Sequence, residues 1–209
     1  MKSVPALKWR YATKKFDSQR ILSAEKIEIL KTAFNLTATS YGLQPLKLVV
    51  VKDKELQDQL MAASYNQKQI GTASHLLVIC IERSVGKEFI EKHFKMVQDI
   101  RKTPEEILEP FRESLIEDFE DKPVDDIKIW ATHQAYLVLG TLLTICAVEE
   151  IDSCPMEGFE PGKYNEILGL KNYNLEAVLA LPVGYRAEDD FFAGLKKVRR
   201  PVEETVIEI

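Results

Sequence analysis

From Trp130 to Val148 the chain carries no Asp, Glu, Lys or Arg. An uncharged stretch of this extent approaches the length of a membrane span, about 20 residues, and whatever the chain folds into has to cover it. Its composition argues against a bilayer. Thr132, His133, Gln134, Thr141 and Thr144 interrupt the run and Glu149-Glu150 ends it, whereas a spanning helix is more uniformly apolar and has basic flanks. The stretch is therefore expected to be a helix buried all round, in a core or at a subunit interface, with no membrane involved.

The remaining sequence is sufficient to build such a core. At 209 residues it suits one domain, 1–209, and is short for two. With 45% hydrophobic and 29% charged residues, no segment is polar enough to read as disordered. A formal net charge of −5 disfavours a nucleic-acid binder, so any basic site must be local. Cys80, Cys146 and Cys154 form no CxxC pair, and the first two sit in apolar runs, which reads as buried free thiols. No apolar region follows Met1-Lys2-Ser3-Val4-Pro5, so a secretory signal is not expected and a reducing, cytoplasmic location fits both features.

Ser23 is placed to cap a helix that carries Ile27, Leu30, Ala33 and Phe34 on one stripe and ends near Asn35, with Glu25 at its positive end. Leu46–Val51 reads as a strand, Lys54–Ala63 as a short helix and Leu76–Glu82 as a second, buried strand. Phe89, Ile90, Phe94 and Val97 mark another helix. Thr103-Pro104-Glu105-Glu106 predicts a capping box opening a helix with Ile107, Leu108, Phe111, Leu115 and Phe119 to one side. Pro123 begins the long central helix, Glu176–Val183 is a strand, and Val202–Ile209 is a further strand candidate. Strand–helix alternation mixed with consecutive helices predicts an α+β domain whose sheet is covered on both faces.

The chain has no GxGxxG, GxxxxGKS or GxSxG motif, and His75, His93 and His133 stand apart from one another and from cysteine, so no metal site is expected. Two features remain. Arg10, Lys14 and Lys15 precede Phe16-Asp17, while Lys196, Lys197, Arg199 and Arg200 follow Leu195. Clustered Arg and Lys suit a phosphate, although most charge clusters beside turns are only solvated. Pro155-Met156-Glu157-Gly158 is a turn whose glycine lets backbone N–H groups approach a planar ligand, because no Cβ intervenes. Taken with the loop Thr39-Ser40-Tyr41-Gly42-Leu43-Gln44-Pro45, these features point to a flavin mononucleotide.

The order of RYATKKFD at 10–17, TSYGLQP at 39–45, NQKQIGTASHLLVIC at 66–80, PMEGF at 155–159, LPVGY at 181–185 and LKKVRRP at 195–201 resembles the FMN-dependent nitroreductase family. The likeness covers essentially the whole chain and is closest to the oxygen-insensitive NAD(P)H nitroreductase and dihydropteridine reductase branch. It implies a mixed central sheet covered by helices on both faces, in an intertwined homodimer. By that resemblance, Arg10 and Lys14 wrap the FMN phosphate and pyrimidine, with Tyr11 and Ala12 lending backbone. Thr39, Ser40 and Gln44 reach FMN partly from the other subunit, and Asn66 and Gln134 bond the ring or ribityl chain. Lys197 and Arg199 clamp the phosphate, and Pro155, Met156, Glu157 and Gly158 lie beside the dimethylbenzene and N5 edge.

The resemblance further implies that the chemistry occurs on FMN, with no nucleophile from the protein. NADH or NADPH donates and a nitroaromatic or quinone accepts, in ping-pong two-electron steps. Lys14, near N1 and the C2 carbonyl, favours the reduced cofactor, and the Glu157 or Gly158 N–H serves N5. Tyr41, together with Ile116 and Phe119 on the helix before Asp121, borders the acceptor site. Ala12 stands where the family often has Ser, Tyr41 and Gly42 where Thr and Asn are common, and Gln69 where some members have Lys. A related dehalogenase or flavin-fragmenting oxygenase, or a non-catalytic flavin-binding protein, is the alternative.

Overall fold

The computed structural model describes residues 2–209, leaving Met1 of the N-terminal segment outside the described residues. In chain order the elements are α1 (Ser3–Trp9), α2 (Ala24–Leu36), β1 (Leu46–Val51), α3 (Lys54–Ala62), α4 (Gln69–Thr72), β2 (His75–Glu82), α5 (Lys87–Arg101), α6 (Glu105–Glu120), α7 (Val124–Val148), β3 (Asp152–Ser153), α8 (Pro161–Ile167) and β4 (Leu175–Gly184). Ser23 caps α2 as its position predicts, its Oγ accepting from the Lys26 N–H at 3.3 Å. The capping box at Thr103 does not form. Pro104 occupies the capping position with extended backbone and no side chain caps α6, which leaves Thr103 one residue too far out.

β2 explains the architecture. It is the inner strand of a sheet ordered β1-β2-β4-β3 and pairs antiparallel with β1 and β4. Its side chains alternate between two cores, as the period of a strand dictates. Leu77, Ile79 and Ile81 pack with Leu179 and Leu181 against Leu30, Val138 and Leu142 of α2 and α7. Leu76, Val78 and Cys80 pack with Ala177 and Ala180 against Leu60, Ile70 and Tyr164 on the other side. A strand covered on both faces has no solvent side, hence its unbroken apolar run. The ladders are antiparallel throughout, and the parallel part of the expected mixed sheet is a single bridge, Ala12 to Ser153. A third cluster joins Ile90 and Phe94 of α5 to Leu115, Ile116 and Phe119 of α6, with Leu43 and Val85.

One expectation is met in part within the chain and another is corrected. α7 buries Ala131, Gln134, Ala135, Val138, Leu142 and Cys146, yet Ile129, Tyr136, Leu137 and Gly140 are exposed. It is long and apolar enough to cross a membrane by length and composition, but here it is a core helix whose buried residues pack with α2 and the sheet. Val202–Ile209 forms no strand; Val202–Glu204 is a short 3-10 turn and the whole segment is exposed. A strand needs a ladder partner, and none lies beside it within this chain.

Candidate active site

The C-terminal end of α1 delivers Arg10. Its N–H closes the helix on the Ala6 carbonyl at 3.0 Å, and its Nε is buried with no hydrogen-bond partner among the described residues. The Lys197 ammonium crosses from the other end of the chain to donate to the Leu7 carbonyl at 2.5 Å and to that of Arg10. Burial first and then the Arg199 charge push the Arg10 pKa down, and burial, Arg10 and Arg199 do the same to Lys197. Among the described residues no carboxylate pairs with Arg10, Lys14, Lys197 or Arg199. Cations gathered without a counter-charge are a site for an anion.

The segment from Arg10 to Lys15 is held in place by contacts that the sequence motifs did not single out. Ala12 bridges Ser153, and Thr13 donates its N–H to the Ser153 carbonyl at 3.3 Å. The buried Asp190 carboxylate accepts from Tyr11 Oη and the Lys14 N–H, each at 2.9 Å. Asp152 accepts from the Arg186 N–H at 2.9 Å and from its Nε at 2.6 Å. The same guanidinium lies over the rings of Trp9 and Tyr11, 4.3 and 4.6 Å from their centres. Nothing in spacing distinguishes Asp190 from Glu188 and Asp189 beside it.

Next to this basic corner lies the Pro155–Gly158 turn. Met156 exchanges backbone hydrogen bonds with Ala180 at 2.8 and 3.0 Å, which anchors the turn to β4. Gln67 Nε2 donates to the Gly158 carbonyl at 2.7 Å, and a Cβ on Gly158 would come within 3.0 Å of that nitrogen. Tyr136 Oη donates to Glu157 Oε1 at 2.6 Å, a bond that raises the phenol pKa. The N–H groups of Glu157 and Gly158 find no acceptor among the described residues. Asn66 adjoins Gln67 with an exposed side chain and a left-handed φ of 56°. Lys14 Nζ reaches Cys154 Sγ, just ahead of the turn, at 3.6 Å.

The Thr39–Gln44 loop forms a second group elsewhere. The Ser40 N–H donates to Gln134 Oε1 at 2.9 Å, and Gln134 Nε2 donates to the Trp130 carbonyl at 3.0 Å. Gln44 bonds Thr39 Oγ1 through its N–H at 3.1 Å and the Asn35 carbonyl through its side chain at 2.8 Å. Tyr41 and Gln44 hold φ at 57° and 49°. Left-handed backbone is unfavourable for a bulky residue and tends to persist at functional sites. The half-exposed Tyr41 ring lies 6.4, 6.3 and 6.5 Å from those of Phe111, Phe119 and Trp130. Phe119 and Ile116 are buried; Phe119 backs Tyr41, and Ile116 packs in the α5–α6 core.

No hydrogen bond or ring contact joins a residue of the basic corner directly to one of the Thr39–Gln44 loop among the described residues.

Comparison with known proteins turns this geometry into a family assignment. The profile of the Nitroreductase family matches residues 7–185. The chain belongs to the nitroreductase family. A relative of this nitroreductase-family chain, a proposed NAD(P)H nitroreductase of Staphylococcus aureus, is 34% identical over 216 residues, covering 97% of this chain and 93% of the relative. A solved structure of a proposed nitroreductase from Bacillus subtilis superposes with a TM-score of 0.87 at 18% identity, covering 99% and 98% of the two chains. One from Exiguobacterium sibiricum, solved in complex with FMN, gives 0.84 at 20% identity, covering 100% and 98%. Nitroreductase-family membership accounts for the α+β fold, and the alignments span the basic corner, the loop and the turn together.

Proposed function

We propose that this chain is a homodimeric, FMN-dependent oxidoreductase that takes electrons from NADH or NADPH and passes them in pairs to a nitroaromatic or quinone, with donor and acceptor using the same site in turn. The observation that carries the reading is the corner of Arg10, Lys14, Lys197 and Arg199, with buried Arg10 Nε unpartnered, set against a turn whose Glu157 and Gly158 N–H groups find no acceptor, both among the described residues. A planar cofactor with a phosphate at one end fits both features at once. The names of the S. aureus and E. sibiricum relatives support the same choice.

FMN, when bound, supplies the two-electron chemistry. Arg10, Lys197 and Arg199 would hold its phosphate, and Lys14 would hold a positive charge beside its ring. The Glu157 and Gly158 N–H groups would be donors to the ring edge, and the missing Cβ of Gly158 makes room for the Gln67 amide. Asn66 reaches the ring or ribityl chain from the loop beside that turn. Gln67 and Tyr136 fix the turn through Gly158 and Glu157. Tyr41, backed by Phe119, stands at the acceptor mouth and Ile116 supports that wall from within.

The second wall comes from a second copy. The exposed apolar side of α7 at Ile129, Tyr136, Leu137 and Gly140 needs a cover. β1 is an unpaired sheet edge beside a cavity of about 760 Å3 lined by Phe34, Thr39, Gln44, Leu46, Leu48 and His93, and open edges invite another strand. The exposed tail with Val202, Val206 and Ile207 is of the right character to supply it. Thr39, Ser40, Gln44 and Gln134 of one copy then face the basic corner of the other. Three buried free thiols fit the reducing cytoplasm.

The purified protein is expected to show the visible spectrum of oxidised flavin, or to acquire it with added FMN, and to bleach anaerobically with one of the two nicotinamides. A protein that takes up no FMN, or holds it unbleached by either donor, refutes the reading.

A further inference from the structure

Asp190 lies outside every motif that points to the cofactor, yet it is among the most heavily used side chains in the molecule. It is 5% exposed. Its Oδ2 accepts from Tyr11 Oη at 2.9 Å, the Lys14 N–H at 2.9 Å and the Lys15 N–H at 3.3 Å, and its Oδ1 accepts from the Phe192 N–H at 3.1 Å. No Lys, Arg or His pairs with it among the described residues; the neighbouring ion pair is that of Lys15 with Asp189. A buried carboxylate is tolerated only when its oxygens are fully engaged, and here neutral donors engage them. Beside it the Ala187 N–H donates to the Lys15 carbonyl at 3.0 Å, so residues 11–15 and 187–192 are fastened together.

Both halves of the basic corner hang on that fastening. Lys14 leaves a backbone whose N–H is fixed by Asp190, and its Nζ points to Cys154 Sγ at 3.6 Å, on the threshold of the Pro155 turn. Lys197 follows Asp190 along the chain and returns to the Leu7 and Arg10 carbonyls. We infer that Asp190 is a positioning residue that sets the Lys14 ammonium against the flavin ring and brings the Lys197–Arg199 segment to the phosphate. This inference rests on the flavin reading above.

The sign of one measurement separates positioning from simple charge. Asp190→Asn keeps the volume, removes the negative charge and leaves one oxygen and one amide nitrogen where two oxygens stood, so the Lys14, Lys15 and Phe192 N–H groups can no longer all be accepted. If Asp190 were only a distant negative charge, its removal would make bound FMN easier to reduce. If it positions Lys14, its removal makes FMN harder to reduce, in the direction of Lys14→Ala. Spectroelectrochemical titration of the wild type, Asp190→Asn, Lys14→Ala and the double variant is expected to show a fall in midpoint potential for each single variant. The double variant is expected to match Lys14→Ala alone, because residues acting through one another are non-additive. The FMN dissociation constant should rise about tenfold or more in Asp190→Asn, the scale of a lost charge-assisted contact.

Hydrogen exchange of the cofactor-free protein adds a readout that needs no flavin: the Lys14 and Lys15 amides should lose protection in the variant. If Asp190→Asn does not fold, Tyr11→Phe removes one donor, keeps the carboxylate and carries the same titration at smaller amplitude. A raised potential, additive shifts in the double variant, or unchanged potential and affinity overturns the inference. Failure of the wild type to bind FMN overturns the flavin reading itself, and is seen before any variant is made.

Discussion

Lys14 is the residue on which an electronic role can be tested most directly. A unit charge about 4 Å from developing negative charge, at an effective dielectric of about 20, interacts by roughly 4 kcal/mol before losses. Water and the neighbouring cations reduce the net effect to about 1–2 kcal/mol, and at about 30 mV per 1.4 kcal/mol for a two-electron couple this is some tens of millivolts. Lys14→Ala is therefore expected to lower the midpoint potential of bound FMN by that amount while FMN stays bound; an unshifted potential leaves Lys14 without an electronic role. Arg199 and Arg200 offer a neighbouring contrast. Arg199 lies close enough to depress the Arg10 pKa and Arg200 is not among its causes. Arg199→Ala should weaken FMN about ten- to hundredfold, with Arg200→Ala near wild type in a fluorescence titration. Asp190 adds a prediction on pH. Burial pushes its pKa up, but the bonds from the Lys14 and Phe192 N–H groups, Tyr11 Oη and the Lys15 N–H outweigh it and hold the carboxyl below its ordinary range. A group depressed on folding stabilises above its unfolded pKa, so this contribution is present above about pH 4 and is lost as pH falls through the folded value. Asp190→Asn should flatten the acid limb of stability against pH in urea titrations. Arg10, Lys14 and Gly158 enter the candidate site because their motifs suggest chemistry; Asp190 and Arg186 could not be singled out from sequence, since their contacts join segments far apart in the chain.

At the scale of elements, legibility followed length and burial. β1 and β2 could be read from apolar runs because each owes its existence to the core it borders. The two-residue β3 and the four-residue α4 could not, since tertiary contact rather than pattern makes them. α7 falls between these cases: its apolar length was plain, but which side meets solvent depends on neighbours that the sequence does not order. Gly140 sits on that exposed side, and a Cβ built there meets nothing within 4 Å. Within one chain a larger side chain is therefore tolerated, whereas against a second α7 it is overpacked, at a cost of about 1–3 kcal/mol. Gly140→Leu should keep the helical spectrum and melting behaviour of a folded chain while weakening self-association about 5- to 150-fold in sedimentation. Equal association of variant and wild type would take Gly140 out of the interface.

At the scale of the whole molecule, the proposed dimer gives each candidate group a place. The basic corner with the Pro155–Gly158 turn is one group, the Thr39–Gln44 loop with Gln134 is another, and no direct hydrogen bond joins the two among the described residues. The unpaired β1 edge, the bare side of α7 and the exposed tail at 202–209 are the surfaces through which two copies would bring opposite walls together. If FMN sits between such walls, binding and association are one equilibrium: a ligand held only by the dimer stabilises it by RT ln(1 + [L]/Kd), about 2.7 kcal/mol at a hundredfold excess over Kd. The active species should then be a dimer with two FMN, dilution should release flavin as the copies part, and added FMN should shift the dissociation midpoint to lower protein concentration by up to about a hundredfold for each FMN held. Removal of residues 202–209 should move it the other way. Sedimentation velocity read simultaneously at protein and flavin wavelengths follows both species, and a stable monomer carrying a full complement of FMN would show that one chain completes the groove alone.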